Sequence, residues 1–234
     1  MTATDEKMAE PAKTAPCPRQ CTPLSGRRAA GEDPVKREQI IDGAKRVFMS
    51  VGFDAASMND ITREAGVSKG TIYVYFENKE DLFGALIERE RERVVQNIKH
   101  ALDEKEPIDE AMFDFGVTLT QHLTGDHTIR AMRMVLGVID RMPGLARRFF
   151  VATPESGYTI LKAYLDRRMA QGDLVIADTE MAARQFIEMA LGGMLKRRLF
   201  GEMAMPPSRE TIEELVSAAL KVFLAAYGQK PEIR

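Results

Sequence analysis

The chain has 234 residues, of which 44% are hydrophobic and 29% charged, the balance of an ordinary globular protein. A formal net charge of −2 excludes a strong overall attraction to nucleic acid or membrane surfaces, and no apolar run approaches the length of about 18 residues that a membrane span needs. The first residues, MTATDEKMAE, lack the apolar core of a secretory signal, so we expect a cytoplasmic protein.

Residues 1–33 are predicted to be a disordered tail, because they are rich in proline and poor in aliphatic side chains. Basic residues at its end could follow DNA as an arm or could belong to a solvated tail, and the sequence leaves both interpretations open. These basic residues are Arg27, Arg28, Lys36 and Arg37. Cys17 and Cys21 supply only half of a zinc site, with no histidine near them, so we expect reduced thiols and no metal or cofactor.

From Pro34 onward, apolar residues recur at helical spacing, and no segment alternates as a strand would. The pattern predicts a first helix that ends at Gly52, a second between its cap Ser57 and Gly66, and a third capped by Ser68. A longer fourth helix is predicted to start at Asn78. Further helices are expected at about 108–124, 127–141, 144–152, 155–171, 178–199 and 208–227. The predicted fold is all-α.

Residues 57–76 have the form of a helix-turn-helix corner. The small side chain of Ala65 allows close packing of helices, Gly66 permits the sharp turn, and Val67 fills the gap between the helices. The second helix of the corner is short, as expected if its N-terminal end enters a major groove. Ile72 and Phe76, four residues apart, are predicted to face inward and fix this helix to the domain.

The leading end of this second helix combines small, flexible and polar side chains, which suits contact with base edges and phosphates. Lys69 could donate to guanine, Gly70 allows close approach of the backbone, and Tyr73 could contact a phosphate or a thymine methyl group. Ser57 could bind a phosphate at the head of the preceding helix. The predicted DNA-binding residues are Ser57, Ser68, Lys69, Gly70, Thr71, Tyr73, Tyr75 and Lys79.

Residues 36–83, which include FMSVGF, AGVSKGTIYVYF and NKEDL, closely resemble the DNA-binding domain of TetR-family transcriptional regulators. The resemblance implies a homodimer, the same DNA contacts and a C-terminal domain that binds a small ligand. Two positions depart from the usual pattern: Thr62 replaces a frequent alanine, and Val74 replaces a frequent tyrosine, arginine or tryptophan, so a contact there is not expected.

The domain boundaries follow from this resemblance: a DNA-binding domain at 34–83, a connecting helix at 84–104, and a ligand-binding and dimerisation domain at 105–228. The predicted helices at about 178–199 and 208–227 are candidates for a four-helix dimer interface. The segment from about residue 149 to residue 201 resembles one TetR subgroup more faintly, without implying a ligand. Candidate pocket residues, which at this spacing more often form plain core, are Met112, Phe113, Phe115, Met132, Met134, Phe150 and Tyr158.

Three functional classes remain to be compared. The leading one is a sequence-specific transcriptional regulator, most simply a repressor released from a palindromic operator by a small apolar ligand. The alternatives are a small-molecule binding protein with a vestigial helix-turn-helix and an α-helical enzyme. His122 and His127 do not share one helical turn, and no nucleophile or phosphate-binding motif occurs, so an enzyme is not expected.

Between residues 34 and 83 there are seven Lys and Arg against eight Asp and Glu, so the positive charge that favours DNA binding must be concentrated locally.

Overall fold

The computed structural model describes residues 31–103, 107–141, 144 and 156–229, which form ten helices and confirm the predicted all-α fold. Most of the predicted tail with Cys17 and Cys21, and most of the predicted helix 144–152 with Phe150, lie outside the described residues. The helices are α1 (Pro34–Ala55), α2 (Met58–Ala65), α3 (Lys69–Tyr75), α4 (Lys79–Asp103), α5 (Ile108–Thr124), α6 (Asp126–Val138), α7 (Gly157–Ala170), α8 (Thr179–Leu191), α9 (Met194–Leu199) and α10 (Arg209–Tyr227).

The first hydrophobic core joins α1, α2, α3 and the start of α4. Its centre is a group of three phenylalanine rings, Phe48, Phe53 and Phe83, whose centroids lie 5.1–5.6 Å apart. Such tilted and edge-to-face contacts add about 0.5–1.5 kcal/mol per pair beyond the burial of apolar area. This core holds the helix-turn-helix corner on α1 and α4.

The end of α1 differs from its prediction. Gly52 breaks the helix with a positive φ of 80°, as expected for a glycine, but its ψ of 171° is not left-handed helical, and the helix resumes as far as Ala55. The physical reason lies in Phe53, which is buried in the aromatic group. One more helical turn after the kink places this ring in the core.

Helix α4 connects the two cores of the protein. Leu82, Leu86 and Ile87 belong to the first core, whereas Ile98 and Leu102, near the other end of the helix, belong to the second. The second core lies among α4, α5, α7, α8 and α10. The rings of Phe115, Phe186 and Phe223 form its centre, with centroid distances of 6.4 Å and 5.4 Å along the series.

The helix predicted for residues 178–199 is wrong as a single element. Gly192 and Gly193 have φ values of 50° and 77°, and they separate α8 from α9. A Cβ atom at Gly192 would lie 2.3 Å from Leu215 Cδ2, so a glycine at this position leaves room for the side chain of Leu215 on α10. Periodicity could not reveal this break, because apolar residues continue at helical spacing on both sides of the two glycines.

Helix α6 contacts both parts of the molecule. Val135 and Val138 are buried in the first core, with Met134 packed beside them. At Arg133, the guanidinium donates to the carbonyl oxygens of Arg198 and Leu199 on α9. The same helix therefore touches the helix-turn-helix domain and the region next to the predicted dimer helices.

Candidate nucleic-acid interface

The helix-turn-helix corner depends on a very close contact between α1 and α2. A Cβ atom at Gly43 would lie 2.6 Å from Ala65 Cβ and 2.8 Å from its backbone nitrogen. The small side chain of Ala65 therefore allows α2 to pack closely against α1. The absence of a side chain at Gly43 is equally necessary for this contact. Sequence reasoning missed Gly43, although a glycine within an apolar helical stripe was a visible signal.

Helix α2 begins with a complete capping box. Ser57 Oγ accepts from the Asp60 amide at 3.2 Å, and the Asp60 carboxylate accepts from the Ser57 amide and hydroxyl. The hydrogen bond from the Ser57 hydroxyl lowers the pKa of Asp60, so this exposed carboxylate stays charged. The hydroxyl of Ser57 is thus already engaged in the cap, and its predicted phosphate contact stays a prediction.

The turn between α2 and α3 has the predicted chemistry. Gly66 is left-handed, with φ 63° and ψ 38°, and the amides of Gly66 and Val67 donate to the carbonyls of Arg63 and Thr62, at 3.2 Å each. The last two carbonyls of α2, those of Glu64 and Ala65, accept instead from the side chains of Arg46 and Gln39 on α1, so the chain reverses direction with its helix-end carbonyls paired.

Helix α3 has one buried side and one exposed side. Ile72 and Phe76 are almost fully buried, as predicted, and hold the helix against the first core. On the opposite side, Tyr73 is 47% exposed and Val74 49% exposed, beside the exposed Lys69 and Gly70. This exposed side, formed by Lys69, Gly70, Tyr73 and Val74, is called the recognition face below.

Ser68 caps α3, and its side chain is linked to Thr71. Ser68 Oγ accepts from the Thr71 amide at 3.0 Å, and the two hydroxyl oxygens lie 2.7 Å apart. Each hydroxyl keeps further hydrogen-bonding capacity, so both could also contact DNA. Tyr75, in contrast, is partly buried and packs against the first core, so its predicted phosphate contact stays a prediction.

Lys79 has a role that the sequence did not indicate. Its ammonium donates to the carbonyl oxygens of Phe53, Asp54 and Ala56 at 3.0, 3.2 and 3.2 Å, and it lies 4.6 Å from the centroid of the Phe53 ring. All three of its donors are therefore used within the protein. The predicted phosphate contact of Lys79 stays a prediction. In the structure, the hydrogen bonds of Lys79 stabilise the corner that precedes α2.

Comparison with known proteins identifies both halves of the chain. Residues 40–86 match the family described as bacterial regulatory proteins, tetR family. Residues 110–229, about half of the chain, match the C-terminal domain of AefR-like transcriptional repressors. The chain belongs to the TetR family of transcriptional regulators. The resemblance read from the motifs of residues 36–83 is thus confirmed, and so is the function of a DNA-binding transcriptional regulator.

Curated relatives of this TetR-family protein are themselves regulators. It is 29% identical over 156 residues to the fatty acid metabolism regulator protein of Bacillus subtilis, which covers 65% of this chain and 77% of that protein. It is also 27% identical over 182 residues to a helix-turn-helix transcriptional repressor of Mycobacterium tuberculosis, covering 71% and 84%. Proteins of this family bind DNA operators as dimers and bind small ligands, and they are not enzymes.

Solved structures of the same family resemble the whole described fold. A protein described as a TetR-family transcriptional regulator from Mesorhizobium loti has a TM-score of 0.77 at 26% identity, over 83% of this chain and 98% of that one. The flavonoid-responsive regulator FrrA has a TM-score of 0.69 at 30% identity, over 85% and 100%. Within the part of the chain that the structure describes, no helix is long and apolar enough to cross a membrane.

The predicted pocket residues of this TetR-family protein do not form one group. Met112 and Phe115 are fully buried in the second core, and Phe113 and Tyr158 pack against it. Met134 instead packs against the first core, because α6 turns that side toward the DNA-binding domain. Met132 is half-buried, and Phe150 lies outside the described residues. Their role in ligand binding stays a prediction.

The two histidines near the α5–α6 corner lie in these helices, His122 in α5 and His127 in α6. His122 Nε2 is 3.3 Å from Thr128 Oγ1, and burial lowers the pKa of His122. His127 Nε2 lies 3.4 Å from a carboxylate oxygen of Glu90 on α4. Over the described ranges, no group of His, Cys, Asp and Glu has the arrangement of a metal site.

A cluster of charges joins the DNA-binding domain to the rest of the TetR-family fold. Hydrogen bonds to Glu90 from His127, and also from Lys45 and Arg89, hold its pKa well below the usual range. The buried Arg89 also donates to Glu38 and Asp42 on α1. This cluster therefore connects α1, α4 and α6, and any shift of α6 against α4 would disturb it.

Proposed function

We propose that the protein is a homodimeric, cytoplasmic repressor that a small apolar ligand releases from a palindromic operator. Residues 34–83 bind DNA, residues 84–104 form the connecting helix, and residues 105–228 bind the ligand and the second subunit. The observation that supports DNA binding most directly is the recognition face, because α3 is buried on one side only and presents Lys69, Gly70 and Tyr73 outward.

The dimer is proposed to form through the outer sides of α8 and α10. Ala182 and Ala183 of α8 and Ala219 of α10 are buried inside the subunit, so a partner would meet the opposite side of these helices. That side of α10 is formed by small and apolar residues at spacings of four and three, together with Met181 of α8. These α10 residues are Ala218, Val222 and Ala225. Small side chains at such spacing favour close helix packing.

Val222→Glu is expected to convert the dimer into a monomer, because Val222 is 58% exposed and a carboxylate at a tightly packed interface would be desolvated without a partner. The molecular mass in light scattering at micromolar concentration is the measurement. Val35→Glu is the matched control, since Val35 is 73% exposed on the DNA-binding domain. A Val222→Glu protein that keeps the dimer mass would remove this surface from the interface.

Release by a ligand is proposed to act through α4 and α6 together. Helix α4 runs from one core to the other, and α6 contributes Val135 and Val138 to the first core. At the end of α6, Arg141 Nη2 contacts both carboxylate oxygens of Asp54, at 3.0 and 2.9 Å, in the corner that precedes α2. A ligand changes DNA affinity only by its differential affinity for the two arrangements. The flavonoid-responsive relative supports testing flavonoids first.

The proposed function is tested by selecting bound fragments from sheared genomic DNA with the purified protein at a stated salt concentration. Enrichment of a palindrome, with half-sites about one helical turn or a small multiple apart, is the expected result. Fragments no more enriched than random DNA, both before and after the protein is unfolded, stripped of bound compounds and refolded, would contradict DNA-specific regulation.

Individual contacts are tested with the selected palindrome. Lys69→Ala is expected to relax sequence preference, with a cost of about 1–3 kcal/mol on the preferred site, because an exposed lysine at the tip of α3 suits a guanine contact. Tyr75→Phe combined with Lys79→Ala is expected to weaken binding about equally on all sequences, because a lost phosphate contact at Tyr75 and a loosened corner before α2, where Lys79 holds three carbonyl oxygens, both act without regard to sequence. Equal losses on specific and random DNA for both proteins would remove Lys69 from base recognition.

A further inference from the structure

The recognition face has an apolar centre with polar side chains on both sides of it. Successive residues of an α-helix are rotated by about 100°, so Gly70 and Val74 each lie about 160° from the buried Ile72. Tyr73 and Thr71 lie about 100° from Ile72, on opposite sides of the helix. Gly70 and Val74 are therefore the residues of α3 that face most directly away from the protein. Because they are four positions apart, they are neighbours on this surface.

A helix that docks with this side toward DNA brings Gly70 and Val74 closest to the floor of the major groove. Gly70 has no side chain, and the nearest atom to a Cβ placed there would be Ser68 Oγ at 3.9 Å, so the protein leaves this space open. One turn later, Val74 projects a short side chain that is 49% exposed. A close approach of the backbone at Gly70 therefore brings the side chain of Val74 to the base edges.

The chemistry of Val74 limits what it can contact on DNA. Its side chain has no hydrogen-bond donor or acceptor, so it satisfies neither a phosphate oxygen nor the polar edge of a base. Covering a polar edge without a hydrogen bond costs free energy. Among the groups that base pairs present in the major groove, the methyl group of thymine is the apolar one. A valine at this place therefore favours a thymine and disfavours the other base edges.

The position of the Val74 side chain is fixed before DNA binds. A Cβ atom at Gly31 would lie 3.2 Å from Val74 Cγ1 and 3.4 Å from the Val74 carbonyl oxygen, so the backbone of Gly31 packs beside this valine. A β-branched side chain also has one strongly preferred rotamer in a helix. With Gly31 on one side, Val74 still keeps half of its surface exposed. Little conformational freedom remains to be lost when this surface meets a base.

We propose that Val74 determines part of the sequence specificity of the regulator by contacting the methyl group of one thymine in each half-site. The inference rests on the proposed function, because it concerns the operator that α3 reads. Gly70 provides the close approach, and Val74 provides the apolar contact. The polar side chains beside them remain available for hydrogen bonds to phosphates and base edges.

The test uses the full-length protein and the palindrome selected from genomic DNA. In a series of duplexes, one thymine at a time is replaced in both half-sites by deoxyuridine, which lacks only the methyl group. Val74→Ala removes both methyl groups of the side chain. Val51→Ala is the matched control, because it makes the same deletion at a valine of α1 that is 53% exposed in the same domain. Affinity is measured at one salt concentration, and thermal unfolding establishes that each variant is folded.

We expect wild-type protein and Val51→Ala to lose about fourfold in affinity per half-site at one particular thymine, the contribution of one buried methyl group. Val74→Ala should bind the unmodified palindrome about fourfold more weakly per half-site. It should lose nothing further when that thymine is replaced, because the two changes remove the same contact.

Three results would overturn the role of Val74 while the regulator function stands. The first is a wild-type protein whose affinity for the palindrome does not depend on any thymine methyl group. The second is a Val74→Ala protein that keeps the wild-type sensitivity to every replacement. The third is a Val51→Ala protein that loses this sensitivity as well, because the effect would then not belong to position 74. Wild-type protein that selects no palindrome would instead contradict the proposed function, and this inference with it.

Discussion

Gly43→Ala is expected to destabilise the DNA-binding domain strongly, because its new methyl group would lie 2.6 Å from Ala65 Cβ and 2.8 Å from the Ala65 backbone. Backbone atoms cannot rotate away, so α1 and α2 would have to separate. Overpacking of this kind costs about 1–3 kcal/mol, and the misplaced α2 should also reduce DNA binding. Thermal or denaturant unfolding measures the change in free energy.

Gly70→Ala is the matched comparison, since both glycines lie in helices and gain the same methyl group. The nearest atom to a Cβ at Gly70 is Ser68 Oγ, 3.9 Å away, so the fold accommodates it. Stability should stay the same or rise by up to about 0.5–1 kcal/mol, because alanine is the better helix former. Affinity for the operator should nevertheless fall by about 1–3 kcal/mol, since the methyl group stands between the α3 backbone and the DNA.

Together, Gly43→Ala and Gly70→Ala distinguish an effect on the packing of α1 against α2 from an effect on DNA recognition by α3. A stable Gly43→Ala protein with normal unfolding would mean that α1 and α2 are not as close as the structure has them. A Gly70→Ala protein that binds its operator like the wild type would mean that the start of α3 does not approach the DNA backbone closely. Unchanged stability with lost binding at Gly70, and lost stability at Gly43, is the expected combination.

Arg198→Met is expected to destabilise the C-terminal domain by about 3–5 kcal/mol. The Arg198 side chain is 3% exposed, and its guanidinium donates to the carbonyls of Thr124, Met203 and Ala204 and pairs with Asp126. Methionine fills a similar volume but leaves these acceptors without a donor, and breaking such a buried arrangement is costly. Unfolding of the full-length protein, followed by circular dichroism, measures the loss.

Arg197→Met provides the control one residue away. Arg197 pairs with Glu202, and both side chains are more than half exposed, at 52% and 61%. Surface pairs of this kind are screened by water and salt and contribute little, so the substitution should change stability little. Similar losses for both variants would contradict the buried role of Arg198 and would indicate a general need for positive charge on α9.

The Arg198→Met substitution should also lower the affinity for the operator. Arg198 fixes the corner between α5 and α6, while Arg133 binds the carbonyl oxygens of Arg198 and Leu199. Helix α6 then continues to Val135 and Val138 in the first core. A loosened end of α6 changes how the helix-turn-helix domain is held, so operator affinity should fall even at temperatures where the variant remains folded.

Local chemistry made the helix-turn-helix predictable from the sequence. Ser57 and Ser68 cap α2 and α3, and Gly66 takes the left-handed turn, as their positions predicted. Each of these features depends on residues within four positions along the chain, so the pattern of polar caps, glycine and apolar residues was sufficient. The family followed from the same stretch of residues, and the all-α fold from helical spacing along the chain from Pro34 onward.

Long-range contacts decided what the sequence left open or wrongly predicted. A Cβ atom at Gly192 would meet Leu215 of α10, and Lys79 donates to carbonyl oxygens more than twenty positions earlier in the chain. Arg198 stands in a run of three basic residues, Lys196 to Arg198, and is buried among carbonyls of α5 and the segment after α9. The charge of a residue and the periodicity around it describe only the helix in which the residue lies. The roles of Lys79 and Arg198 depend instead on the segments that pack against them. The sequence by itself therefore determined the caps, the corner and the family, and only the tertiary structure decided that Lys79 and Arg198 are engaged by carbonyl oxygens within the protein.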